Sequence, residues 1–230
     1  MIKTVWLIPW FRRPPVLLYK TLLSLHRQTD RELSVVILTD RIKDAEILTE
    51  HFELPVIDVF WDETIVPDRH GTFQNAMLSK VQPDSSTVVV FTGSDIYFPP
   101  HLNERIRSVF RQTDGFAYCR ERRDAVKLFS DEELKDLQKL RPMTRGYGTC
   151  GQIIVTRSTT AHEMGGWAEW VSLKKHWGRP FPDNEFIDRL RKRFHSERGE
   201  TNAVLPPPEY ILHFAHNAFG DARSVEELIN

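Results

Sequence analysis

The chain has only two cysteines, Cys119 and Cys150. So few thiols exclude a disulfide framework and a zinc-type cysteine cluster, and a pair this far apart reads as two buried thiols. No apolar run approaches the roughly 20 residues that a membrane-crossing helix needs. The opening Met1 to Trp10 is too short for a secretory leader and is followed by arginines, so a cytoplasmic location is expected. Neither sign of charge dominates: 31 Lys and Arg against 32 Asp and Glu leave a formal net charge of -1. That balance gives no global attraction to a nucleic-acid polymer. Internal repeats and low-complexity tracts are missing as well. What remains, 230 residues of which 40% are hydrophobic, suits one α/β domain with a substantial core.

The stretch that organises this domain is Val88 to Pro100, VVVFTGSDIYFPP. Val88, Val89, Val90 and Phe91 are β-branched or aromatic without polar alternation, the pattern of a strand buried on both faces of a parallel sheet. Ligands of open α/β sheets gather beyond the carboxyl ends of the strands. Thr92, Gly93, Ser94 and Asp95 therefore fall where a site is expected.

Upstream, strand signals at Lys3 to Ile8, Ser34 to Thr39 and Pro55 to Phe60 alternate with helical signals at Val16 to His26 and Ile42 to Phe52. A further helix at Thr72 to Val81 precedes the central strand. Alternation of this kind predicts right-handed crossovers and a mostly parallel sheet flanked by helices. Pro99-Pro100 opens a helix to Phe110, and short strands are predicted at Phe116 to Arg120 and Gly151 to Thr156. Helices follow at Ser158 to Met164 and Asn184 to Phe194. Residues 120–148 are rich in charge, contain one helical stretch at Asp131 to Leu140, and read as a surface excursion or lid. Residues 203–230 read as a segment wrapping back over the domain.

Four segments, in order, resemble the nucleotide-sugar-dependent glycosyltransferases of the GT-A fold, particularly the family 2-like group. The first is IPWFRRPPVLLYKTLLSLHRQT, similar to that family's strand, P-x-x-x-R loop and helix ending in S-L-x-x-Q-T. The second is Asp40 after the second strand. The third is Asn75 followed by VVVFTGSDIYFPPHL, similar to the D-x-D strand and loop. The fourth is MGGWAEW with WGRPFPDNEFIDRL, similar to the G-G-F-D-E and W-G-x-E-D segments. The resemblance implies a GT-A, Rossmann-like fold over residues 1–230. It also implies transfer of a sugar from a nucleotide-diphosphate donor to a carbohydrate or other hydroxyl acceptor, inverting and dependent on Mn²⁺ or Mg²⁺. Two departures stand out. The D-x-D triplet is Gly93-Ser94-Asp95, which keeps only the metal-holding position, and the E-D pair is Pro182-Asp183, which keeps only the base.

Each candidate residue has a chemical reason. A departing diphosphate accumulates negative charge that a hard cation neutralises, and Asp95, aided by His216 or else His213, is the expected metal ligand. An acceptor hydroxyl needs a base, for which Asp183 at a helix entrance is the first candidate and Glu185 the substitute. Asp183 also sits where a helix cap belongs. Pro9, Trp10, Phe11 and Arg13, with Asp40, Asn75 and Ser94, are candidates to bind the nucleotide, since an aromatic or guanidinium plane stacks on a base. Trp10 and Phe11 equally suit core space. Gly165, Gly166 and Trp167 are candidates to meet the donor sugar, with Trp170 and Trp177 as further stacking faces. Arg122, Arg123 and Arg145 can clamp diphosphate or merely be solvated. Two other readings remain open: a non-catalytic binding or scaffold domain of the same fold, and a sugar-nucleotide pyrophosphorylase. The latter calls for a glycine-rich loop after the first strand, and Pro9 to Arg13 contains no glycine.

Overall fold

The computed structural model describes residues 1–65, 69–112, 114–118, 122–125, 127–140, 143–146, 153–169, 182–194, 211–214 and 223–230. The chain begins with β1 (Lys3–Pro9), α1 (Pro15–His26), β2 (Leu33–Leu38), α2 (Ile42–His51), β3 (Val56–Phe60), α3 (His70–Leu78) and β4 (Thr87–Thr92). It continues with β5 (Ile96–Tyr97), α4 (Leu102–Gln112), β6 (Phe116–Tyr118), β7 (Arg122–Ala125), β8 (Met143–Gly146), β9 (Ile153–Arg157) and α5 (Ser158–Glu163). The last described elements are α6 (Pro182–Phe194), β10 (Ile211–Phe214) and α7 (Val225–Ile229).

Among the described residues, six strands form the main sheet in the order β3-β2-β1-β4-β9-β6. The first four run parallel, as the strand and helix alternation predicts. β9 turns against β4, pairing Val88 with Arg157 and Thr92 with Ile153, and β6 is antiparallel to β9 in turn. The sheet is thus mixed α/β and mostly parallel. Alternation along each inner strand feeds two cores. Trp6 and Ile8, Val35 and Ile37, and Val88 and Val90 join the core that also contains α1, α2 and α4 residues. Val5 and Leu7, Val36 and Leu38, and Val89 and Phe91 join the core on α3 and α6. Such double-sided burial is why these strands read as unbroken apolar runs.

A second sheet, ordered β5-β10-β7-β8, lies beyond the sequence-based expectation. β10 is antiparallel to β5, with His213 opposite Ile96, and parallel to β7, with His213 opposite Asp124. Its strands have two to four residues, too short for periodicity to reveal. Within residues 120–148, β7 and β8 pair as a ribbon. The expected helix at Asp131 to Leu140 is instead two 3₁₀ turns, Glu133–Lys135 and Leu137–Lys139. Phe129, Leu134, Leu137 and Leu140 bury themselves in the α1 core, and Asp131 pairs with the buried Lys20 and accepts a 2.8 Å bond from the Tyr19 hydroxyl. At the other end, α7 starts with a capping box between Ser224 and Glu227. Among the described residues no helix is long and apolar enough to cross a membrane. Cys119, Cys150, Trp170, Trp177 and His216 lie outside the described residues.

Candidate functional site

β1 and β4 are parallel neighbours, so their exit loops emerge side by side at the carboxyl edge of the sheet. The loop after Pro9 is pinned. Trp10 N–H donates to Leu38 O at 2.8 Å, and Arg41 Nη2 donates to Arg13 O at 2.8 Å. Arg12 adopts a left-handed backbone, φ 56°. The Trp10 ring is 0% exposed in the α1 core, with the Arg41 guanidinium 4.8 Å from its centroid. Core packing thus claims the plane expected to stack on a base. Phe11 is half-buried, edge-on to Phe73 at 5.4 Å and to Trp61 at 6.2 Å. Asp40 is exposed at the end of β2, one strand away along the same edge.

Asp95, in the exit of β4, is 3% exposed. Its Oδ2 forms an ion pair with Arg13 Nη1 and lies 3.2 Å from His213 Nε2, while His213 Nδ1 lies 2.7 Å from Asp124 Oδ1. Both ring nitrogens of His213 thus face carboxylate oxygens. The second sheet creates this line, because its register sets His213 beside Asp124 and next to the start of β5. The backbone adds a 2.9 Å bond from Phe214 N–H to Asp95 O. Gly93 answers the departure from D-x-D: a Cβ there would lie 2.6 Å from Asp95 Oδ1. Ser94 is fully buried, and its hydroxyl has no hydrogen-bond partner among the described residues. It presents nothing to a nucleotide at the surface.

On the α3 side of the sheet, Asn75 clasps the turn after α5. Its Oδ1 accepts from Trp167 N–H at 2.7 Å, and its Nδ2 donates to Trp167 O at 3.0 Å and Glu169 Oε1 at 2.9 Å. Expected to meet a nucleotide, the Asn75 amide is occupied by this backbone. Gly165 and Gly166 have φ of 70° and 68°, and a Cβ on Gly166 would fall 2.2 Å from Asn75 Oδ1. Gly166→Ala is therefore expected to cost about 2–3 kcal/mol, from left-handed strain plus the broken clasp. A urea midpoint equal to wild type would contradict that reading of the turn. Arg189 closes the same turn from α6, donating to Met164 O at 3.0 Å and Gly166 O at 2.7 Å. Glu185 grips Arg189 through two bonds of 2.6 and 3.1 Å. A carboxylate so engaged is a turn support, which corrects its place as substitute base.

Trp167 is also not an open sugar platform. It is 2% exposed, stacked on Phe186 (4.6 Å, 12°) and on His70 (4.8 Å, 19°), with both faces covered. The sequence reading missed His70. Burial first, then the Arg13 charge, push its imidazole down to about 3, so it stays neutral. Phe186 in turn packs edge-on against Phe91 of β4 at 5.5 Å. This sets the first turn of α6, with Asp183, on the same side of the sheet. Asp183 is half-buried, and burial pushes its carboxyl up, partly offset by bonds from the backbone N–H groups of Asp183 and Asn184. It is the second residue of α6, inside the helix and not at the cap position, and its carboxylate accepts from N–H groups of that first turn.

Of the expected cation ligands, Asp95 is described and His216 lies outside the described residues. No three His, Cys, Asp or Glu side chains among them converge as a metal group, and Asp95 Oδ2 is met by Arg13 and His213. Arg123, one of the expected clamp residues, is half-buried on β7; Arg122 and Arg145 stand on β7 and β8.

A mostly parallel sheet carrying a loop-borne acid at the end of its central strand, with a short second sheet beside it, defines a GT-A-like fold. Solved structures of S. aureus TarS share it. TarS 1-349 in complex with UDP-GlcNAc superposes with a TM-score of 0.62 at 13% identity, covering 98% of this chain and 61% of that one. TarS 1-349 alone and a longer TarS chain give 0.53 and 0.54 at 15% and 14% identity, each covering 74% of this chain and respectively 52% and 31% of theirs. The chain thus spans less than two thirds of each of these three structures. No protein-family model and no curated protein matches its sequence.

Proposed function

We propose that the protein is a glycosyltransferase that moves a sugar from a nucleotide-diphosphate donor to an acceptor hydroxyl with inversion, Asp183 serving as the base. The observation that carries this reading is Asp183 itself. It is a half-buried carboxyl with a raised pKa on the first turn of α6, joined through Phe186, Trp167 and His70 to the edge where Arg13 and Asp95 lie. The GT-A-like fold and the UDP-GlcNAc bound to TarS support a nucleotide-sugar donor.

Transfer breaks the bond between the anomeric carbon and the diphosphate through an oxocarbenium-like transition state. The acceptor oxygen bonds to that carbon, its proton passes to Asp183, and the electron pair leaves with the diphosphate. A base tuned upward is suited to this, because a carboxylate of ordinary pKa takes a hydroxyl proton less readily.

One observation favours a second reading, a nucleotide-sugar binding domain without transfer. Asp95 and Glu185 are both engaged in ion pairs. Incubation with UDP-GlcNAc, followed by release of UDP, separates the two. Slow release of UDP, faster when an acceptor alcohol is added, is expected of the transferase. Binding without any release under both conditions would leave only the binding domain.

A further inference from the structure

We propose that Arg13, seated on Asp95, binds the diphosphate of the nucleotide and that this binding needs no divalent cation. The proposal rests on the transferase reading above and names the positive group that meets the leaving charge.

The geometry of the pair carries it. The Asp95 side chain is 5% exposed and that of Arg13 is 31% exposed, so an anion arriving at this edge meets the guanidinium before the carboxylate. Asp95 Oδ2 is met by Arg13 and, at 3.2 Å, by His213, which Asp124 backs at 2.7 Å. Oδ1 is turned toward Gly93, close enough that a Cβ there would be 2.6 Å away. A cation seeking Asp95 has to displace a guanidinium and an imidazole, the latter held from behind by Asp124. A carboxylate so placed orients Arg13; it does not wait for a metal.

The loop supplies a second, independent observation. Arg12 adopts φ 56°, a conformation that costs a non-glycine residue about 1–2 kcal/mol. Arg41 ties the Arg13 carbonyl to the start of α2 at 2.8 Å. The pinned carbonyl holds the Arg13 backbone at the carboxyl ends of β1 and β4, and such tethering is what sustains the strained Arg12 beside it. Its fork of N–H donors suits phosphate oxygens, and the partly buried position makes such a contact stronger than in open water. Its field already reaches the site, since it helps to hold His70 neutral.

Calorimetric titration of UDP, GDP, CDP and dTDP into the whole chain, in EDTA and again in Mn²⁺, tests this. At least one nucleotide is expected to bind with the same affinity in both buffers. Arg13→Gln is expected to weaken that binding in EDTA by about 10- to 100-fold, the loss of a charge-assisted contact. Asp95→Asn, which leaves Arg13 charged, is expected to weaken it less than Arg13→Gln does. Should Arg13→Gln fail to fold, Arg13→Lys carries the comparison: it keeps the charge, loses the fork, and is expected to bind more weakly than wild type. Binding seen only with Mn²⁺, or equal affinity of wild type and the folded Arg13 variants, overturns the cation-free role and leaves the transferase reading standing. No binding of any of the four in either buffer overturns both.

Discussion

Asp183→Asn is expected to slow sugar transfer by about 10³-fold, within the usual range for removing a general base, while nucleotide affinity stays close to wild type. The substitution changes little in shape. An amide oxygen still accepts from the backbone N–H groups of positions 183 and 184, so the first turn of α6 keeps these bonds. What is lost is the capacity to take a proton. The wild-type rate is expected to rise with pH through the titration of Asp183, along a limb displaced above the ordinary aspartate range because burial raises this carboxyl.

The stability of this variant has a defined sign. A carboxyl whose folded pKa lies above its unfolded value contributes stability that is fully present below the unfolded pKa and lost as pH rises through the folded one. At neutral pH the ionised Asp183 therefore costs folding free energy. The Asn variant should melt at the same temperature as wild type or higher at pH 7, and the difference should shrink toward acid pH. Paired measurements of turnover and melting separate a base from a residue that only supports the first turn. A variant with unchanged turnover, or one that melts well below wild type, would falsify the assignment.

Trp167→Ala should be the most destabilising of the substitutions considered, by about 3–5 kcal/mol. The indole is sandwiched between Phe186 and His70 and meets Phe91 edge-on at 5.4 Å, so its removal opens a cavity between α3, α6 and the central strand. In a chain of this size such a loss lowers the melting temperature by roughly 10 °C. Trp167→Phe is the control. The indole Nε1 is buried without a hydrogen-bond partner among the described residues, so exchanging it for a phenyl ring forfeits volume but no polar contact. It should cost clearly less. His70 gives a second readout. Burial is the main reason that its pKa falls to about 3, so opening the space beside it in the Ala variant should move the ring back toward the ordinary 6.5. An NMR titration follows this directly. An Ala variant that melts like wild type, with His70 unmoved, would mean that the stack does not hold α6 on the sheet.

The individual residues show how far pattern reaches. Lys3 to Ile8 and Val88 to Phe91 announce buried strands because helices cover both faces of the sheet, and nothing else needs to be known to read them. The helix at Asn184 to Phe194 is equally plain, since Phe186, Ile187 and Leu190 all face one core. Gln28 of the S-L-x-x-Q-T segment acts structurally: its amide donates to Ser24 O and Pro99 O and accepts from Asn103 N–H, joining α1 to the turn before α4. A motif letter thus pointed to a contact without saying which kind.

Local pattern was enough for the strand and helix alternation, the parallel run of the first four strands, and the placing of Asp95 and Asp183 at element ends, because periodicity and turn chemistry act within a few residues. Only tertiary structure put Arg13 and His213 on Asp95, Asn75 on Trp167, and Glu185 on Arg189. The first two sets of contacts join positions about 80 to 120 residues apart, with His213 carried on a strand of four residues, and even the i, i+4 pair of Glu185 and Arg189 takes its role from the turn that Arg189 reaches; all depend on register and burial, which no short window of sequence contains.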